Sequence, residues 1–324
     1  MGDPANIIPG NDGGVTAACA HLQVGGLVAF PTETVYGLGA DARDDQAVAR
    51  IFEAKNRPSF NPLIVHVLDF DAASAFGVLD TRARLLADTF WPGPLSLVVP
   101  RRPDCELSLL VSAGLDTIAL RAPAHPLAHD LLARFGGPIA APSANTAGEV
   151  SPTQASHVEQ SLGTKADMIL DGGACEVGLE STVIDLCGYR PALLRHGAIT
   201  HEQLEEVLGP VDDATRPTNG EAPRSPGQLA RHYAPAIPVR LDAQNVASDE
   251  GLLSFGNISF EGAGTALNLS PTGDLTEAAA NLFAYMRQLD TLAHRAIAVV
   301  PIPDTGLGRA INDRLRRAAE AHNG

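Results

Sequence analysis

LVAFPTETVYGLGADA, residues 27–42, is the stretch on which the fold turns. LVAF (Leu27–Phe30) is a short continuous apolar run, the mark of a buried strand. After it come two threonines, a glutamate, a tyrosine and two glycines. Asp44 then stands as an N-cap before Asp45–Lys55, where Val48, Ile51 and Phe52 fall on one helical face. A strand, a polar Gly-rich turn and an amphipathic helix in that order open an α/β fold. Gly37 and Gly39 permit unusual backbone angles and close approach of a ligand to the main chain. The hydroxyls of Thr32 and Thr34 both donate and accept. The same composition also describes an ordinary Gly-rich turn with no ligand.

Outward from this stretch the pattern repeats. LIVHV (Leu63–Val67), LSLVV (Leu95–Val99), TIALR (Thr117–Arg121), PIAA (Pro138–Ala141), STVIDL (Ser181–Leu186) and PALLRH (Pro191–His196) read as strands. Helical periodicity covers Ala83–Phe90, Leu127–Phe135, Thr153–Leu162 and Thr200–Leu208. This order predicts an α/β sheet larger than a simple doubly wound unit. Residues 209–235 then shift in composition. GPVDDATRPTNGEAPR is polar and aperiodic, and SPGQLARHYAP sets Arg231, His232 and Tyr233 between prolines. From 236 to 324 a second, smaller α/β pattern follows. Ile237–Leu241, Gly251–Phe255 and Ala296–Val300 read as strands, and Glu277–Leu292 and Leu307–Ala321 as helices. The expected division is therefore 1–208, a linker at 209–235, and a Rossmann-like domain at 236–324.

Composition narrows the function. The net charge of −15 repels phosphate backbones, so direct tRNA or DNA binding is expected to be weak or absent. A local basic cleft inside that envelope would still suit a nucleotide. The four cysteines form no C-x-x-C pair and read as reduced thiols of a cytoplasmic protein. No secretory signal is read at the N-terminus, and no apolar run of about 18 residues predicts a membrane span. There is no G-x-x-x-x-G-K-[ST] phosphate loop, no Cys/His metal spacing and no G-x-S-x-G elbow.

The polar residues at the predicted strand ends carry the functional reading. Lys55 and Arg57 close a helix and enter a Pro-bounded loop with Asn61, where they can clamp phosphates or simply complement the helix C-terminus. His66 sits in an apolar strand, a place more usual for a core histidine. Arg121 at a strand end requires an anion, from a ligand or from the protein. Ser143, Asn145 and Ser151 lie in a loop suited to anion binding or to turn chemistry. Ser181 and Arg195 occupy the next two strand ends. The recurring design is a strand end followed by hydroxyls, glycines and a cation. It points to one crevice for a small anionic ligand such as a nucleotide or an amino acid.

Five motifs, FPTETVYGLGADA, KNRPSFNPL, TIALRAP, APSANTAGEVSPT and GLESTVIDL, occur in an order that resembles the YrdC-type domain of threonylcarbamoyl-AMP synthases. SPGQLARHYAP resembles the linker of the long, two-domain form, and NLSPTGDLTEAAANLFAYMRQLD with GLGRAINDRLRRAA resembles its C-terminal domain. The segment Lys55–Leu63 departs from the family pattern at Asn56, Ser59 and Phe60 but keeps Lys55, Arg57 and Asn61.

The resemblance implies an open, twisted α/β domain followed by a linker and a small Rossmann-like α/β/α domain. It implies a magnesium-dependent reaction of L-threonine, bicarbonate and ATP. The product would pass to a threonylcarbamoyl transferase complex that modifies tRNA beside the anticodon. It further implies that Thr34, His66, Arg121 and Ser181 bind threonine. Lys55 and Arg57 would act in catalysis. Arg57, Asn61, Thr117, Ala141, Ser143, Ser151, Arg195 and Tyr233 would bind ATP, with Tyr233 and His232 forming a lid. The alternatives are an RNA-binding module or a non-catalytic scaffold of the same fold. A hydrogenase-maturation carbamoyltransferase is disfavoured by the missing C-x-x-C segments.

Overall fold

The computed structural model describes residues 6–215, 225, 232–292 and 294–322. The chain opens with β1 (Ile7–Pro9), α1 (Asp12–Gln23), β2 (Val28–Phe30) and β3 (Gly37–Asp41). Next come α2 (Asp45–Lys55), β4 (Ile64–His66), α3 (Phe70–Ser74), α4 (Thr81–Phe90), β5 (Leu95–Pro100) and β6 (Thr117–Arg121). They are followed by α5 (Pro126–Phe135), β7 (Ile139–Ala140), α6 (Ala155–Leu162), β8 (Met168–Asp171), β9 (Thr182–Asp185), β10 (Ala192–Arg195) and α7 (His201–Leu208). The edge strand β11 (Asp212–Asp213) precedes the second domain, made of β12 (Val239–Arg240), β13 (Glu250–Ser254), β14 (Thr265–Asn268), α8 (Leu275–Thr291), β15 (Ala296–Val299) and α9 (Leu307–Glu320).

Among the described residues the first sheet has 11 strands, ordered β1-β8-β2-β3-β7-β4-β6-β5-β9-β10-β11, with parallel and antiparallel pairs mixed. The main core lies where α2, α4, α6 and α7 cover one face of this sheet. A second cluster joins α1 and α5 to β2 and β8. On the opposite face Ile64, Val98, Ala119, Val183 and Leu194 form an apolar floor. The second sheet, β12-β15-β13-β14, is entirely parallel, and α8 and α9 pack on each other beside it.

Local chemistry explains most boundaries. Asp44 caps α2 by accepting from the N–H groups of Gln46 and Ala47, and Asn56 ends it in the left-handed conformation. Thr200 and Gln203 form a reciprocal capping box on α7.

The expected turn at Gly37–Asp41 is a strand. β2 and β3 form an antiparallel hairpin, and neither Gly37 nor Gly39 has a positive φ. Those glycines serve packing instead. A Cβ at Gly39 would come within 2.7 Å of the Phe30 ring and 2.8 Å of Ile139. Five other elements, β1, α1, α3, β8 and β14, have no counterpart among the expected ones. Asp212–Asp213 adds an edge strand to the first sheet. Most of the expected linker, residues 216–224 and 226–231 including Arg231, lies outside the described residues.

Candidate active site

Sheet register brings the site together. His66 of β4 lies directly opposite Arg121 of the parallel β6. The β2–β3 turn brings Thr32 and Thr34 to the same end, and the segment after β7 brings Ala141 and Ser143, with Gly37 bridging Ser143. With Arg57, Ser181, Arg195, His232 and Tyr233 these residues enclose a cavity of about 40 Å³. Pockets for ligands of ordinary size run to several hundred Å³, about 300 or more, so this form is too closed for one. Tyr233, on the cavity wall, is fully buried.

At one end, Arg121 is held on three sides. Its Nη2 donates to Glu33 Oε1, its Nη1 to Thr34 Oγ1 at 2.9 Å, and its Nε to the Gly93 carbonyl at 3.2 Å. Glu33 also accepts from the Ala124 N–H at 3.1 Å. Thr32 builds the turn: its hydroxyl donates to the Val35 carbonyl and accepts from two backbone N–H groups. Burial first, and then the Arg121 charge, lower His66 to a pKa of about 3, so its ring is neutral. Its Nδ1 is buried without a partner among the described residues.

At the other end the cations lack such partners. Arg57 donates from Nε to the Asn61 carbonyl at 3.2 Å and from Nη2 to the Pro62 carbonyl at 2.9 Å. Burial, then Arg195, pull its pKa down to about 9. Lys55 is buried, and it donates to the carbonyls of Ser143 and Asn145. Burial and then Arg57 hold it well below the ordinary lysine range. Among the described residues neither makes an ion pair. His232 is pushed well down by burial and then by Arg57 and Lys55. Three arginines, Arg57, Arg121 and Arg195, line this cavity within a chain of net charge −15.

Buried polar atoms without hydrogen-bond partners among the described residues gather in and beside this cavity: Asn61 Oδ1, Asn145 Oδ1, His66 Nδ1, His232 Nδ1 and the Tyr233 hydroxyl. Such groups are rare in folded proteins and mark places where a ligand completes the hydrogen bonding.

Ser181 is fixed between Ser96, 2.8 Å away, and Arg195, whose Nη2 donates to its hydroxyl at 3.0 Å. Four candidates do not line the cavity itself. Lys55 points behind it, onto the loop that carries Ser143. Asn61 supports Arg57 through its carbonyl. Ser151 is buried and donates to Glu180. Thr117 stands apart from the cavity, at the far end of β6 opposite Pro100, about 13 Å along the strand from Arg121. Sequence reasoning overlooked Glu33 and Glu180. Both sit inside the quoted motifs, but a carboxylate in an anion site draws no notice until its arginine partner is seen.

The fold and site define an α/β protein with a small cavity at its first sheet, lined by arginines and hydroxyls. Residues 20–197 match the Sua5/YciO/YrdC family model, described as "Telomere recombination", and residues 199–320 match the "Threonylcarbamoyl-AMP synthase, C-terminal domain" model. The chain is 42% identical over 325 residues to the threonylcarbamoyl-AMP synthase of Bacillus subtilis, covering 95% of this chain and 94% of that one. It is 40% identical over 320 residues to that of Pyrococcus abyssi, with 94% of each covered. The crystal structure of P. abyssi Sua5 complexed with L-threonine superposes with a TM-score of 0.88 at 37% identity, covering 98% of both chains. The chain belongs to the threonylcarbamoyl-AMP synthase family.

Proposed function

We propose that this chain makes threonylcarbamoyl-AMP and pyrophosphate from L-threonine, bicarbonate and ATP, as a nucleotidyltransferase serving tRNA modification beside the anticodon. The observation that carries the reading is Arg57, a half-buried cation on the cavity wall with no ion-pair partner among the described residues, beside a second corner organised by Arg121. An uncompensated charge held partly out of water is costly, and a polyphosphate offsets that cost when it binds.

In this reading the threonine carboxylate meets Arg121. Three of its five N–H groups are engaged, which leaves two for a ligand. Thr34, neutral His66 and Ser181 orient the rest of the amino acid. The threonine amine adds to bicarbonate with loss of water, giving a carbamate. A carbamate oxygen then attacks the α-phosphorus of ATP, and the bond to pyrophosphate breaks. Arg57 faces the charge that develops on the leaving group. Lys55 stiffens the Ser143 loop, and Ala141, Ser143, Ser151 and Arg195 shape the nucleotide side. Positioning and charge neutralisation carry such a step without a general base. Asn61 acts through Arg57, and Thr117 contacts ATP only if the nucleotide runs along β6 in the open form.

Among the described residues no group of three or more His, Cys, Asp or Glu side chains is placed to hold a metal ion. Glu180, which lines the cavity, and Glu33, the partner of Arg121, are both held by arginines. These residues do not form a magnesium cage, so magnesium is proposed only as the ion that ATP brings on its phosphates.

The product passes to a threonylcarbamoyl transferase complex in the cytoplasm, and the acidic surface disfavours direct tRNA binding. No helix of the described residues is long and apolar enough to cross a membrane. The test is pyrophosphate release from ATP with threonine and bicarbonate omitted in turn. Release that needs both supports the reading. Release indifferent to threonine, or tight salt-sensitive RNA binding in its place, rejects it.

A further inference from the structure

One buried cation has no part in the steps above. Arg314 lies in α9 of the second domain and is fully buried. Its Nε donates to Glu180 Oε2 at 3.1 Å, and its Nη1 to Asp313 Oδ2 at 3.1 Å. Its guanidinium lies 5.1 Å from the Tyr233 ring centroid, within cation–π range. The other oxygen of Glu180 accepts from the Ser151 hydroxyl. Glu180 and Tyr233 line the catalytic cavity, whereas Arg314 does not. A single side chain of the second domain thus grips a wall and the cover of a site built by the first.

The cover needs that grip. Tyr233 has a φ of 64°, a region that bulky residues occupy only when surrounding contacts over-determine it. Its ring stacks on Phe283 of α8, with centroids 5.6 Å apart and planes at 23°. Arg314 also stands over that ring. Docking of the second domain has other supports. Arg309 pairs with Glu202 at 2.9 Å, and Gly178 lets α8 approach so closely that a Cβ would meet the backbone of Ala279 and Ala280.

We propose that Arg314 is a positioning residue for the synthase reaction, through which the second domain completes the catalytic site by fixing Glu180 and seating Tyr233. This inference rests on the synthase reading above. Arg314 acts through those two side chains and touches no reacting atom.

The experiment measures threonine- and bicarbonate-dependent pyrophosphate release by the full chain. It compares wild type, Arg314→Met, Arg309→Ala, Glu180→Gln and the Arg314→Met/Glu180→Gln double variant, each checked for folding by circular dichroism. Arg314→Met is expected to lower kcat about 100-fold, because it leaves the Glu180 charge buried and unmet. Arg309→Ala, which cuts a bridge away from the cavity, is expected to stay within about twofold. In the Glu180→Gln background the Arg314 change is expected to cost much less than in wild type. Should Arg314→Met fail to fold, Arg314→Lys serves in its place, keeping the charge and losing the planar fork. Equal losses for the Arg314 and Arg309 variants, or independent multiplication of the Arg314 and Glu180 effects, would make Arg314 a docking residue only. An active wild type with either result overturns this inference alone. An inactive wild type overturns the synthase reading and this inference with it.

Discussion

The two ends of the cavity both carry cations, yet they are finished differently. At the β4–β6 end, Arg121 has Glu33, Thr34 and Gly93 as partners, and its charge is balanced in the closed protein. At the turn after α2, Lys55 and Arg57 have only carbonyl oxygens. A balanced arginine can exchange or share its partner with a ligand carboxylate at modest cost. Arg57, unbalanced on the cavity wall, suits an anion that binds there. On the proposed function the amino acid would meet the first corner and the phosphates the second.

Removing the phosphate corner should have the largest effect. Arg57→Ala is expected to lower turnover about 10²–10³-fold, the range for deleting one preorganised charge donor, when single-turnover product formation is measured. Next comes the balance at the other corner. Glu33→Gln leaves Arg121 buried without its anion, and should cost about 3 kcal/mol in urea denaturation. Added threonine should recover more stability in this variant than in wild type, because its carboxylate takes the vacated role. Equal recovery in both proteins would break the contrast.

A smaller effect should appear with pH. His66 has a pKa of about 3 in the folded protein against 6.5 normally, so only the unfolded chain takes up its proton between those values. Its contribution is fully present above pH 6.5 and is lost as pH falls, by about 2 kcal/mol at pH 5. His157, lowered to about 4 by burial and then Arg287, adds to the same trend. His66→Gln should flatten the stability profile between pH 7 and about 5 in chemical denaturation. An unchanged slope would show that His66 takes up its proton as readily in the folded protein as in the unfolded chain. The smallest effect expected is that of Arg121→Lys, a loss of threonine affinity of about tenfold, read by calorimetry, as the bidentate fork becomes a point charge.

Much of this contrast was legible in the residues and some was not. KNRPSFN and TIALR announced cations at element ends, because an arginine there must find an anion. They did not reveal that Arg121 finds Glu33 within the protein, since that pairing joins residues 88 apart. GLGAD read as a turn because glycines usually mark turns, whereas here they clear space for the Phe30 ring within a strand. β1 and β8 are short neighbours in the sheet, with too few residues for periodicity to register. The helix α1, DGGVTAACAHLQ, opens on two glycines and has a weak apolar face, so its cap at Asn11 becomes visible only in the structure. The meeting of Arg314 with Glu180 spans two domains and left no local sequence signal.

The most direct test is a crossed binding experiment by calorimetry, with ATP and L-threonine each titrated alone into Arg57→Ala and Arg121→Lys. The division of the cavity predicts that the first variant loses ATP affinity and keeps threonine affinity, and that the second does the reverse. If both variants lose both ligands alike, or each loses the other's ligand, the two corners do not divide the substrates and the account fails.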